Sequence, residues 1–361
     1  GDEVGQVLYG LKGPAEAHEG GGTLITLKEI AQEAGVSTTT VSNVLNGNSS
    51  RVSADTAERI QAIMKRSGYV PNQAARSLAQ RESHVVAIIV QASPGENIFR
   101  NPYTAEYVGA LTLELQQNGY YPLIRFSDNY KEIDADLRGW NVAGVIFSGA
   151  YNRHLHTLKS LTDIPTVFTD CYVRIPGANH VGMDDDAGGQ IAGEYLIHMG
   201  HRHVGFLGNN VDESDVDRHR LDGFRTGFAE GGIELREEFI LHRREELFPP
   251  DSLRQLMARP DHPTAFFCTS DQAAVQLMQA LSRLGLRGPE DVSVVGFDDL
   301  PLATMVQPAL TTLSQDISQK AHLVVEMLLR HIRQRGLAPE RTLLGTCLVE
   351  RQSVRRLEPA E

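Results

Sequence analysis

Three side chains in the body of this 361-residue chain sit where they could recognise a small molecule together. Asp170 follows the apolar run PTVFT, Asp271 follows FFCTS, and Arg220 opens RLDGF. Each acid lies just past a run of strand length, so it is expected at the carboxyl end of a sheet. Two carboxylates and a guanidinium aimed into one cleft suit a polyhydroxylated ligand, since each takes paired hydrogen bonds from neighbouring hydroxyls. A second chemistry is written near the N-terminus, in STTTVSNVLNG. There Val41, Val44 and Leu45 recur at helical spacing and leave Thr38, Thr39, Ser42, Asn43 and Asn46 facing outward. Small polar side chains on one helix face can reach base edges in a major groove.

Other clusters read as structural. His198, His201 and His203 in IHMGHRH invite a metal, but Gly200 is expected to end a helix between them, so helix-end or surface roles are expected instead. Asp184, Asp185 and Asp186 precede a helix start, where acids favour the dipole. The chain has no G-x-x-x-x-G-K-[ST], no G-x-G-x-x-G after a strand and no G-x-S-x-G, so catalysis finds no support. Cys171, Cys268 and Cys347 are far apart and odd in number. Each lies in an apolar, strand-like stretch, which predicts reduced core thiols and a cytoplasmic protein.

The elements that must position these groups can be read next. Thr26 and Glu29 have capping-box spacing at the start of a helix from Leu27 to about Ala34. Ile30, Ala31 and Ala34 share its inner face, Gly35 can take the positive φ that stops it, and Ser37 can cap the second helix. A third helix from Ser53 brings Ala57, Ile60 and Met64 to close the core. This is a helix-turn-helix arrangement. Asn72 to Ala79 could then form a two-turn helix capped by Asn72, too short to be stable without packing; a loose tether fits the same residues. From Val85 onward VVAIIV, YPLIRF, GVIFSG, PTVFTD, HVGFLG, TAFFCTS and VSVVGFD alternate with amphipathic stretches. That alternation predicts parallel sheets built from βαβ units, and nearly 280 residues predict two lobes with a ligand cleft between them.

Charge divides the chain in the same places. The formal net charge is -12, yet residues 23–83 carry seven Lys/Arg against five acids. DNA contact is therefore expected from that segment alone, with the acidic body held off the duplex. An apolar fraction of 41% and charged fraction of 22% fit a soluble globular protein, and no apolar run approaches membrane-spanning length. Residues 1–22 are acidic and Gly-rich, lack the pattern of a secretory signal, and read as a flexible extension or cloning remnant.

The segments TLKEIAQEAGVSTTTVSNVLNG and RVSADTAERIQAIMKRSGYVPNQAARSLA resemble the DNA-binding module of the lactose-repressor (LacI) family. The resemblance continues through NPYTAEY, YLIHMGHRHVGFLG, RLDGF, SDQAA, DVSVVGFDD and PALTTLSQD, in the order of that family's periplasmic-binding-protein-like core. It implies that Thr38, Thr39 and Asn43 read base edges, while Thr26, Ser37, Thr40, Ser42 and Asn46 lie toward phosphates. Tyr69, Asn72 and Ala75 join these DNA-facing positions, and Leu78 matches the leucine that wedges between base steps when two hinge helices pair in the minor groove. Asn43 stands where many members carry Arg, which implies less guanine selectivity. In the core, Asp170, Arg220 and Asp271 match effector contacts, with Tyr103 and Thr104 as the first-lobe pair; a strand-end Asp without that resemblance would read as a helix cap. Thr104 replaces a common aromatic residue, and Cys171 stands where some members have a large one. A sugar is therefore expected over a planar purine.

The expected fold class is an all-α helix-turn-helix headpiece (23–70), a hinge (71–83) and an α/β core of two parallel-sheet lobes (84–355), followed by a tail (356–361). Crossings between lobes are expected near Asp184, at Thr311–Gln315 and beyond Pro339. The tail RRLEPAE shows no apolar heptads, so a homodimer on a pseudo-palindromic operator is expected rather than a tetramer. No cofactor is expected. Rival readings are a solute-binding protein, which needs an export signal and no headpiece, a sugar-acting enzyme, which needs a nucleophile-base pair, and a regulator answering to a phosphorylated partner protein.

Overall fold

The computed structural model describes residues 25–45, 51–69, 83–93, 95, 97–149, 163–172, 177–209, 214–243 and 250–358. The chain divides into two compact units, one ending at Arg81 and one beginning at Glu82. The expectations for residues 1–22, for Asn46 and for Asn72, Ala75 and Leu78 of the hinge fall outside the described residues.

The first unit holds α1 (Leu27–Glu33), α2 (Thr38–Leu45) and α3 (Ala54–Ser67). The capping box between Thr26 and Glu29 is formed in both directions. Gly35 at φ 64° turns the chain, and the Ser37 hydroxyl accepts from the Thr40 amide at 3.1 Å to start α2. Ile30, Ala31, Ala34, Val41, Ile60 and Ile63 form the buried core. Ile63 is buried in the core, while Met64 and Ala57, expected from the sequence to close it, are only partly buried.

The second unit is built on two six-stranded sheets. Its elements are β1 (Val85–Val90), α4 (Pro102–Gln117), β2 (Tyr121–Phe126), α5 (Tyr130–Gly139), β3 (Gly144–Ser148), β4 (Thr166–Thr169), β5 (Asn179–Met183) and α6 (Asp185–His198), then β6 (Val204–Asn209), α7 (Asp215–Glu230), β7 (Ile240–Arg243), α8 (Pro250–Met257), β8 (Ala265–Cys268), α9 (Asp271–Arg283), β9 (Ser293–Asp298), α10 (Leu302–Met305), β10 (Thr311–Ser314), α11 (Ile317–Arg333), β11 (Arg341–Leu344) and β12 (Cys347–Val349). The sheet orders are β11-β5-β4-β3-β1-β2 and β12-β10-β9-β8-β6-β7. All pairs are parallel except β10 with β12, an antiparallel edge on the second sheet. Alternation along β1 shows why the strands are apolar throughout: Val86, Ile88 and Val90 face one core with α4 and α11, while Ala87 and Ile89 face another with α5. Both faces of a parallel sheet are covered, so both parities must be hydrophobic.

The chain passes between sheets three times: after β5 at Asp184, after β10 around Gln315, and between β11 and β12. Glycines let α6 and α7 approach closely on the second sheet. A Cβ at Gly189 would lie 2.1 Å from the carbonyl oxygen of Arg220, and one at Gly223 would lie 1.9 Å from that of Asp186. This backbone-to-backbone crossing fixes where Arg220 emerges.

Two sequence expectations need correction. Cys171 and Cys268 are buried free thiols, but Cys347 is exposed, because it lies on the edge strand β12. His201 is neither a helix cap nor a surface group: it is 1% exposed, with Nδ1 2.9 Å from the Thr264 hydroxyl and Nε2 3.1 Å from the Arg355 carbonyl. Gly200 does end the α6 turn, at φ 88°, and this swings His201 inward.

Candidate effector cleft and nucleic-acid interface

The carboxyl ends of strands from both sheets converge on a cavity of about 380 Å³. Gln91, Gly149 and Asp170 follow strands of the first sheet, while Asn209, Arg243, Ser270, Asp298 and Gln315 end or follow strands of the second. Ligand sites in open α/β sheets form at such strand ends because loops there are free to carry polar groups.

Of the expected contacts, Tyr103, Thr104, Asp170 and Arg220 line this cavity together. Asn101 caps α4 and accepts from the Thr104 amide at 3.3 Å, which points the Tyr103–Thr104 pair at the site. Tyr103 donates its hydroxyl to Asp170 Oδ1 at 2.8 Å, and Ser148 donates to Oδ2 at 3.0 Å. Lys320, 1% exposed on α11, completes the cluster: its Nζ ion-pairs with Asp170 and lies 2.8 Å from the Tyr103 oxygen. Burial pushes the Asp170 carboxyl up, but Lys320 and the two hydroxyl donors outweigh it and hold the group below its ordinary value. The Tyr103 phenol is pushed well up, by burial first and then by Asp170.

Arg220 is held from three sides. Its Nε donates to Asp185 Oδ1 at 2.8 Å, its Nη1 to the Thr269 carbonyl, and its guanidinium lies 3.5 Å from the Phe297 ring centroid. Burial opposes its charge, yet Asp185 and Asp298 favour it and its pKa is raised.

Asp271 does not belong with these residues. It is fully buried and does not line the cavity; Oδ1 accepts from the Thr312 hydroxyl at 2.5 Å and Oδ2 from the Leu300 amide at 2.8 Å. It braces β10 to the Leu300 turn beneath the cleft, and Ser270 caps α9. The strand-end carboxylate that does reach the cavity is Asp298, at φ 122°, a conformation that costs an L-residue energy and is retained where the surroundings impose it. Gln315 donates to Asp298 Oδ1 at 2.6 Å. Burial raises the Asp298 carboxyl well above its ordinary value, Arg220 opposing and Asp271 reinforcing the shift.

In the headpiece, Thr38 and Thr39 at the start of α2 are exposed, as are Thr26 and Ser37, while Thr40, Ser42 and Asn43 are half-buried. Tyr69 packs partly buried against the headpiece core. One short helix carrying small polar groups is thus mounted on α1 and α3.

Two family models match this layout: the lacI family of bacterial regulatory proteins over residues 26–72, and a periplasmic binding protein-like domain over residues 194–354. The ribose operon repressor of Haemophilus influenzae is 31% identical over 93% of this chain and its own full length. The chain belongs to the lacI family. The repressor PurR of Yersinia pestis is 33% identical over 92% of this chain and 97% of its own. A lac repressor dimer bound to operator and the anti-inducer ONPF superposes with a TM-score of 0.79 at 26% identity, covering 92% of this chain and 99% of that one. A CelR-cellobiose complex gives 0.68 at 28% identity over 91% and 99%.

As a lacI-family protein the chain is a DNA-binding transcription regulator with a headpiece and a ligand-sensing core. Sequence reasoning missed four residues at or behind this candidate cleft. Asp298 met the same strand-end criterion as Asp271, in VSVVGFD. Lys320 sits on the apolar stripe Ile317, Ala321, Val324 and Leu328 of α11, where a lone lysine is a signal in itself. Asp185 was indistinguishable from its neighbours in the DDD run, and Arg243 ends a strand, ILHR, that the apolar pattern did not single out.

Proposed function

We propose that this protein is a homodimeric repressor that binds a pseudo-palindromic operator and whose affinity is set by a polyhydroxylated ligand of the sugar class. The observation that carries the ligand class is the wall of the cavity: among the described lining residues Tyr103 alone is aromatic, and that ring stacks on Tyr107 within α4 at 5.8 Å between centroids. Carboxylates, amides and guanidinium groups satisfy hydroxyls, and the described wall offers a flat heterocycle little surface to stack on. Tyr103, Thr104, Asp170 and Arg220, joined by Asp298, would hold the ligand. The printed names of a ribose operon repressor and a cellobiose complex among the relatives agree with this class.

On the DNA side, Thr38, Thr39 and Asn43 would read base edges, with Thr26, Ser37, Thr40, Ser42, Asn46 and Tyr69 toward the backbone and Asn72, Ala75 and Leu78 in the minor groove. A lac repressor dimer on operator among the structural neighbours supports the two-fold arrangement. A protein acting on DNA would work in the cytoplasm. No described helix is long and apolar enough to cross a membrane. The cleft carboxylates Asp170 and Asp298 are tied to Lys320 and Gln315, which favours recognition over turnover.

Selection of bound sequences from a random duplex library, followed by titration of the recovered site with a sugar panel under fluorescence anisotropy, tests the scheme. A palindrome whose affinity one sugar shifts by about tenfold, a coupling of about 1.4 kcal/mol, is the expected result. No enriched sequence at low salt, or an operator affinity indifferent to every sugar, overturns it.

A further inference from the structure

We infer that the ligand of this cleft carries an anionic group, a phosphate ester or a carboxylate on a polyhydroxylated frame, and that Arg243 receives it. This inference rests on the sugar-effector reading and narrows it.

Among the described residues, three cations are buried at or behind the cleft. Arg220 is paired with Asp185 and Lys320 with Asp170. Arg243, at the end of β7 and 3% exposed, has no carboxylate within ion-pair distance among the described residues. Its Nη1 donates to the Gln276 amide oxygen at 3.3 Å and its Nη2 to that of Asn209 at 3.1 Å. Its Nε has no hydrogen-bond partner, and the residue lines the cavity. A guanidinium taken out of water with only neutral partners, and with one donor unmatched, is costly unless something supplies the missing charge.

Asp217 shares Asn209 with Arg243 and is already committed. Its Oδ1 accepts from the Asn209 amide at 3.2 Å, and its Oδ2 accepts from Asn209 Nδ2 at 3.1 Å and from the Ser214 hydroxyl at 2.6 Å. Asn209 thus stands between the two and keeps Asp217 off Arg243. The rest of the wall asks for hydroxyl donors: the amide oxygens of Gln272 and Gln315 are buried without a partner, and both residues line the cavity. An anionic oxygen at the Arg243 side of the cavity supplies the missing charge, and an N–H to an anionic oxygen is a strong, short bond.

Calorimetric titration of the full chain with D-ribose, D-ribose 5-phosphate and D-ribonate, and with D-glucose, D-glucose 6-phosphate and D-gluconate, tests this. The expected result is that at least one anionic sugar binds about tenfold or more tighter than its neutral parent. Arg243→Gln is expected to bring the two within about twofold, while Arg243→Lys keeps most of the preference. Preference for the phosphate or for the acid identifies the group. Thermal melts of each variant without ligand check folding, and Arg243→Met replaces Arg243→Gln if the latter does not fold. A neutral sugar that binds as tightly as both its derivatives overturns the inference and leaves the sugar-controlled repressor standing. An anionic preference that survives in the folded Gln or Met variant also overturns it. Binding of none of the six overturns the inference, and the sugar-controlled reading is then decided by the operator titration with the wider panel.

Discussion

Lys320 reaches Asp170 from 150 residues further along the chain, and the pair closes the first-lobe wall of the cleft. The lysine is delivered by α11, the helix that follows the second crossing between lobes, so the charge state of the effector site depends on correct threading of the chain through both sheets. Asp170 is itself held at φ 53°, a conformation that its three side-chain partners help to impose.

Lys320→Met is expected to destabilise the core by about 3–5 kcal/mol, because it leaves a carboxylate with its counter-charge removed. Adding Asp170→Asn should recover much of the loss. The sign of the pH dependence separates this from a packing defect. In the native protein Asp170 is held below its ordinary value of 3.8, so its contribution is present above that pH and is lost as pH falls through the folded value. In Lys320→Met the two hydroxyl donors remain but the opposing charge is gone, so burial, the largest single influence, moves Asp170 upward and the acid-side loss is expected to shrink or reverse. Urea melts from pH 3 to 7 would show it.

Gly189→Ala tests the helix crossing that positions Arg220. The added methyl meets the Arg220 carbonyl at 2.1 Å, a backbone atom that cannot rotate away. The expected cost exceeds the about 1–3 kcal/mol typical of overpacked cores, with loss of ligand response ahead of loss of operator binding. Gly109→Ala on α4, where a Cβ meets nothing within 4 Å, is the control.

The contrast between Asp271 and Asp298 marks what could be read without coordinates. Period and capping chemistry are local, so Thr26, Gly35 and Ser37 announce the headpiece, and runs such as VVAIIV announce buried strands. Which of two strand-end aspartates faces the cleft depends on the turn that follows. The Asp298–Asp299 pair adopts positive φ at both residues, whereas Asp271 enters α9 directly and turns under Leu300. Strands with mixed composition, among them β5 (NHVGM), β7 (ILHR) and β11 (RTLL), carry no clear alternation, because they sit near sheet edges or cover polar neighbours; Arg243 was hidden for that reason.

His201 should make the core acid-sensitive. Burial lowers its pKa from 6.5 to about 4, so the folded protein holds it neutral while the unfolded chain protonates near 6.5. Its contribution is full above that value and is lost as pH falls through about 4. His201→Asn is expected to lower stability at pH 7 through loss of one of its two buried contacts, and to flatten the decline between pH 6.5 and 4 in a series of thermal melts. A decline unchanged by the substitution would assign it elsewhere.

Asp271 acts in the opposite direction. Burial raises it to about 7, so the folded state holds a proton that the unfolded chain releases near 3.8, and the associated stability is lost as pH rises through about 7. Asp271→Asn is expected to keep the Leu300 amide bond and to remove that loss, leaving the variant less destabilised at pH 8 than at pH 5 relative to the native chain.

Asn43 offers the sharpest test on the DNA side. It lies half-buried on α2 beside exposed Thr39, and an asparagine pairs with the adenine edge where an arginine would take the guanine edge. Asn43→Arg is expected to shift the selected operator toward guanine at one position in each half-site, with about 1–3 kcal/mol of discrimination at that base. Thr26→Ala, a backbone-side position, should instead weaken binding to all sequences alike, partly by removing the capping box of α1. Since Asn43 is not among the residues of the headpiece core, Asn43→Arg should leave the melting temperature nearly unchanged; a large drop, with no change in selected sequence, would place Asn43 in the fold rather than at the base edge.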